Sequence, residues 1–219
     1  MAGFLLGGSG NVSDKKFGQT YSVRPSGVHK ATIVWLHDVR FTGYCSILFL
    51  TSGSAKFEAS KCMILPCNEL ENMRDDFESL NEVNSYITEI LSSEPDNLKI
   101  MKGVGGIGMG AAQALYYTSC YAFGWVPISP QIVIGINGWL PGWRNLEYNM
   151  SNTNFGTANR AASSRILLMH RTSDDVIPSA FGYKCADYLR VAGFPTLFKQ
   201  CGGDHLVNEI RVWLRTLGL

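Results

Sequence analysis

The feature that most narrows the fold of this chain is an alternation in its second half. LKIMKGVGG, QIVIGING (131–138), RILLMH (165–170) and TLFKQC (196–201) are short apolar runs of strand length. Between and after them lie MGAAQALYYTSCYAF, a segment from Ala180 to Ala192 and a last one from Leu206 to Leu217, all of helical length and composition. Strand, helix and strand in succession wind a mostly parallel sheet with helices on both faces. An α/β fold is therefore expected for residues 16–219 as a single domain, behind a flexible Gly/Ser-rich tail at 1–15. A chain of 219 residues, 46% of them hydrophobic, is long enough to bury such a core.

The first half fits less simply. FGQTYSVRP reads as an edge strand closed by Pro25 and Gly27, and ATIVWLH (31–37) as an unbroken apolar strand of the kind buried on both faces. SILFL (46–50) is another strand. Leu70, Met73, Phe77, Leu80, Val83, Ile87, Ile90 and Leu91 recur mostly at steps of three and four, so a helix with one buried face is expected there, stopped by Pro95. Only the eight residues from Asp38 to Cys45 separate the first two apolar runs. A parallel crossover with its helix needs about ten to twelve. Either the two runs pair antiparallel or one lies outside the main sheet, and in both cases the front crossover region is too short for its helix.

A net charge of +1 with no run of Lys or Arg supplies neither the basic footprint of a nucleic-acid binder nor a polybasic membrane patch. The apolar runs are too short to span a bilayer, and no secretion-type segment opens the chain. A cytoplasmic protein is expected, with no nucleic-acid partner and no stable membrane insertion. The cysteines at 45, 62, 67, 120, 185 and 201 form no CxxC pair and have no zinc-finger histidines. They read as reduced thiols packed as small hydrophobes. Cys201 and His205 lack a third and fourth ligand, so no metal and no cofactor is expected.

Chemistry is concentrated in GVGGIGMGAA, Gly103 to Ala112, where a strand hands over to a helix. Gly103, Gly105 and Gly108 satisfy GxGxxG, which is the dinucleotide fingerprint in that context. The ribose-binding acid expected about twenty residues later would fall in WVPISPQ (125–131), which has none. Gly106 to Gly110 also reads as the GxSxG turn of a nucleophile elbow with glycine at its centre. Glycine accepts the strained backbone of that centre more easily than serine, but brings no hydroxyl. A glycine-rich turn with a packing role alone is the third reading. The downstream half of the chain favours the elbow: Asp174 comes after RILLMH and His205 after TLFKQC, in the order acid then base. Taken singly, Asp174 or Asp175 would read as a helix cap and His205 as a loop histidine. Ser119, about 16 Å along the helix from the turn, and Cys120 beside it are too far away to replace the missing hydroxyl.

RPSGVHKATIVWLH, LSSEPDNLKI, GVGGIGMGAAQALY, NGWLPGW, RAASSRILLMHRTSDDVIP and WLRTLGL resemble the plant branch of the acyl-protein thioesterase and carboxylesterase family. These are small single-domain serine esterases with the α/β-hydrolase fold. The likeness covers Phe17 to His37 and most of Glu69 to Leu219. It implies that Asp174 takes the acid position and His205 the base position. Gly108 stands where the family has its nucleophilic serine, and the backbone N–H groups of Val39 and Met109 would correspond to the oxyanion hole. Two further departures accompany Gly108. Asp38, in DVRFTGYCS, replaces a glycine beside that hole, and the family's Trp-Phe-Asp segment has no counterpart in KCMILPCNELE. The resemblance therefore implies an inactive esterase relative, a pseudoenzyme. The alternatives are weak hydrolysis by water activated through His205 and Asp174, or a non-catalytic protein that binds a small ester or acyl chain; no protein partner is implied.

Overall fold

From Ala31 to Leu36 every side chain is buried, with none of the alternation of a half-exposed strand. The reason is a sheet covered on both sides. A computed structural model describes residues 19–23, 27–37, 44–51, 75–95, 99–152, 156–172, 177–202 and 205–219. The tail expected at 1–15 lies outside the described residues, as do Asp38, Val39, Asp174 and Asp175. Seven strands form one sheet: β1 (Gln19–Val23), β2 (His29–Leu36), β3 (Tyr44–Thr51), β4 (Met101–Ile107), β5 (Ile132–Ile136), β6 (Arg165–Arg171) and β7 (Thr196–Cys201). Their spatial order is β1-β3-β2-β4-β5-β6-β7.

β2 and β4 to β7 run parallel, the pattern expected from the alternation of elements. β3 pairs with β2 antiparallel, and β1 pairs with β3 in parallel at the sheet edge. The choice left open by the short connection is thus settled in favour of the antiparallel pair. His37 to Gly43 has room for a reversal of the chain and none for a crossover helix.

On one face Val34, Leu36, Val104, Val133, Ile166 and Leu168 pack against the helices α1 (Phe77–Ser92), α2 (Met109–Phe123), α3 (Trp143–Asn152), α4 (Thr157–Ser163) and α5 (Ser179–Val191). On the other, Ile33, Trp35, Ile134, Leu167 and Met169 meet Leu206, Ile210, Trp213 and Leu214 of α6 (Leu206–Thr216). α1 starts at Phe77 because Asp76 caps it: Oδ1 accepts the Ser79 N–H at 3.2 Å and Oδ2 the Ser79 hydroxyl at 2.7 Å. The part of that helix expected at 70–74 lies outside the described residues. α2 is buried on nearly every side, and Gln113 reaches across to α1, donating to Leu80 O at 3.0 Å and Asn84 Oδ1 at 2.8 Å. It ends at Gly124, whose φ of 80° is the left-handed stop of a helix. The Arg160 guanidinium covers one of the exposed carbonyls there, Ala122 O, at 2.9 Å.

Candidate functional site

Two of the three glycines in GxGxxG lie inside a strand. Gly103 pairs with Ile132 and Gly105 with Ile134 on β5. A Cβ on Gly103 would stand 2.8 Å from Ile132 O, and one on Gly105 would stand 2.8 Å from the Trp35 ring. Both glycines are there to let neighbours close in. The phosphate-cradling turn of a dinucleotide site requires them in a loop, so that reading has lost its structural basis.

The elbow reading keeps its basis. Gly108 sits alone between the end of β4 and the start of α2, with φ 58° and ψ −119°. A residue other than glycine is strained there by about 1–3 kcal/mol. Gly106 and Gly110, on either side, are forced by the β2 backbone: their Cβ atoms would stand 2.5 and 2.2 Å from Leu36 O. The turn is held by Gly108 N–H donating to Ile136 O at 2.9 Å and by Ala112 N–H donating to Gly108 O at 3.1 Å. Gly108, the N-cap of α2, has no side chain with which to cap it, so the first N–H groups of the helix and its positive dipole end stand at this turn. Met109, expected to contribute an oxyanion N–H, opens the helix, and its side chain is partly exposed.

His205 lies beyond the end of β7, at the N-cap of α6, and is exposed. Its N–H donates to Gly202 O at 3.1 Å and its carbonyl accepts from Glu209 N at 3.0 Å. The first turn of α6 is tied to β7 by an ion pair between Glu209 and Lys199. Gly108, Met109 and His205 therefore all follow the carboxyl ends of parallel strands, the edge at which open α/β sheets place their ligands. The acid and the second oxyanion group of the expected set, Asp174 and Val39, lie outside the described residues.

The two substitutes weighed for a nucleophile, Ser119 and Cys120, are closed off. Ser119 is buried and its hydroxyl donates to Leu115 O at 3.0 Å, one turn back in α2. Cys120 is 1% exposed, and burial pushes its thiol up to about 11, so it is neutral at physiological pH. Burial does the same to Cys185. Among the described residues no three His, Cys, Asp or Glu side chains are grouped to hold a metal ion, and no helix is long and apolar enough to cross a membrane.

Three residues near this edge escaped the sequence reading. His37 ends β2 beside the elbow, and burial lowers its imidazole below the ordinary value of 6.5, leaving it neutral at pH 7. Asn137, directly after β5, has φ 51°. His170 near the end of β6 is 1% exposed, with Nε2 3.1 Å from Gly138 O. The signal for Asn137 was present as the Asn-Gly pair in GINGWLP. That pair usually marks a hairpin, and here it ends a parallel strand.

No protein-family model matches the sequence, and no curated protein matches it. Among solved structures the chain is similar to acyl-protein thioesterase 2 from Zea mays, at 29% identity over 89% of this chain and 96% of that one, with a TM-score of 0.70. It is also similar to a phospholipase/carboxylesterase from Dyadobacter fermentans, at 16% identity over 89% and 94% of the two chains, TM-score 0.52. Esterase PE8 shares the fold at 16% identity over 87% and 94%, TM-score 0.56. The fold is that of the α/β-hydrolases, and the scaffold is hydrolase-like.

Proposed function

We propose that this chain is a single-domain, cytoplasmic relative of the acyl-protein thioesterases and carboxylesterases in which Gly108 occupies the nucleophile position, so that covalent acyl transfer is lost. The observation that supports this most is the backbone of Gly108, a lone residue at φ 58° and ψ −119° in a sharp strand-to-helix turn between two glycines that have no room for a side chain. Such a turn aims its central side chain out above the sheet, and here there is none to aim. Asp174 and His205 are then a vestigial acid and base with no oxygen to activate. The similarity to the maize thioesterase, over nearly the whole of both chains, supports the same ancestry.

The size of the loss can be bounded. In a serine protease, removing the nucleophile lowers kcat by about a million-fold, roughly 8 kcal/mol of barrier. Binding and an oxyanion hole alone leave a residue of catalysis over water, and Asp38 stands in the segment that would build the hole. Purified wild type assayed with p-nitrophenyl acetate and butyrate is expected to give no burst and no turnover that depends on His205. A turnover abolished by His205→Ala would overturn the proposal and point to water activated by the surviving base. Gly108→Ser alone is expected to restore little. Full rescue by that single change would mean that Asp38 does not spoil the oxyanion hole.

A further inference from the structure

Across the carboxyl ends of β4 to β7 the last backbone rungs form a line. Gly108 N–H donates to Ile136 O at 2.9 Å, Asn137 N–H to Met169 O at 2.8 Å and Thr172 N–H to Cys201 O at 3.2 Å. With Ile136 level with Met169, the next rung of the parallel β5–β6 ladder would join Arg171 N–H to the backbone carbonyl of Asn137. That rung is made differently. Asn137 has φ 51° and is the only residue other than glycine with a positive φ among those described. Its side chain supplies the acceptor: Oδ1 takes the Arg171 N–H at 2.9 Å.

The main chain meanwhile leaves the sheet through Gly138. The Gly138 carbonyl lies 3.1 Å from His170 Nε2, and its α-carbon is so close to the first turn of α2 that a Cβ would stand 2.5 Å from Ala111 Cβ. A carbonyl oxygen only accepts, so His170 carries a proton on Nε2. α5 also closes on the ring, where a Cβ on Gly182 would stand 2.4 Å from His170 Cδ2. Asn137 and Gly138 thus touch the elbow helix on one side and the end of β6 on the other.

We infer that Asn137 is a positioning residue of the candidate site: its Oδ1 stands in for a backbone carbonyl as the last acceptor of the β5–β6 ladder, fixing the end of β6 relative to the elbow while the chain turns away to pack on α2. Two properties are needed at once, tolerance of the left-handed backbone and an acceptor at carbonyl reach. Asparagine and aspartate have both. Glycine has the first alone, and alanine has neither. The functional meaning of this strut rests on the reading of Gly108 as the centre of an elbow, but its existence does not.

The test is NMR on the full chain at pH 7. In wild type, a scalar coupling through the hydrogen bond between the Arg171 amide nitrogen and the Asn137 side-chain carbonyl carbon is expected. Asn137→Gly is expected to speed exchange of the Arg171 amide about tenfold, the equivalent of one lost hydrogen bond, with the Ile134 and Leu168 amides unchanged. Asn137→Asp, which restores the acceptor, is expected to exchange at close to the wild-type rate. An absent coupling, an unchanged Arg171 amide in Asn137→Gly, or equal loosening in both variants would overturn the inference. The coupling decides the matter in wild type even if Asn137→Gly fails to fold. None of these readouts uses turnover, so an esterolytic wild type would sink the proposed function and leave this inference standing, and an unchanged amide would do the reverse.

Discussion

Gly108 and Asn137 end neighbouring strands, β4 and β5, and both do so with a positive φ, 58° and 51°. They are otherwise opposites. At Gly108 the backbone makes a demanding turn and no side chain exploits it. At Asn137 a less extreme turn is paired with a side chain that closes a hydrogen bond the turn would have lost. A strand end is shaped by backbone geometry, but what it can do depends on the atoms carried there. On the reading proposed above, the turn at Gly108 has the shape of an elbow without its chemistry, whereas the turn at Asn137 carries a side chain that uses it.

The contrast between these two strand ends is most easily broken at the glycines that surround the elbow. Gly110→Ala would place a methyl group 2.2 Å from Leu36 O, against backbone that cannot swing aside. A loss of about 3 kcal/mol or more in urea denaturation is expected. A loss below about 1 kcal/mol would mean that α2 does not sit this close to β2. Gly108→Ser is expected to cost less, about 1–3 kcal/mol, because the penalty is backbone strain. If it stabilised the protein, the turn would not have the geometry of an elbow. Asn137→Ala should cost about 1–2 kcal/mol, one hydrogen bond plus the left-handed penalty of a β-carbon. Asn137→Gly should recover much of that by removing the second part alone.

The smallest expected effect is at His37. Burial disfavours its charged form, so its folded pKa lies below the unfolded value of 6.5. The unfolded chain then takes up the proton first as pH falls. This contribution to stability is complete above pH 6.5 and is lost between that value and the lower folded one. His37→Gln should flatten the wild-type decline in melting temperature over that window. An equally steep decline in the variant would mean that His37 is not the group responsible.

Much of the fold was legible because periodicity reports burial. α2 lies on the segment read as its helix, Met109 to Phe123; β5 and β7 fall within the runs assigned to them, and β6 runs one residue past its own, to Arg171. α3 and α4 were not read, for a physical reason. α3 buries Leu146 as its one fully covered position, with Met150 partly buried one turn on, and α4 buries Thr157 and Ala161, so each is short and offers few apolar anchors to read. Their helicity follows from packing on elements that are far away in the chain. Of the site, the glycine turn and the place of His205 after the last strand could be read in order along the sequence. The surrogate rung at Asn137 could not, because it joins residues 34 apart that meet only once β5 and β6 are aligned.

The sequence by itself determined the order and type of the main elements, and it determined that no hydroxyl stands at residue 108. Both are local matters, one of side-chain periodicity and the other of a missing atom. Tertiary structure decided the direction of β3, which of the glycines serve packing and which one makes the turn, and the partner of Asn137. Each of these depends on which backbone comes within a few ångströms of which, and that is settled only when strands from distant parts of the chain take their register.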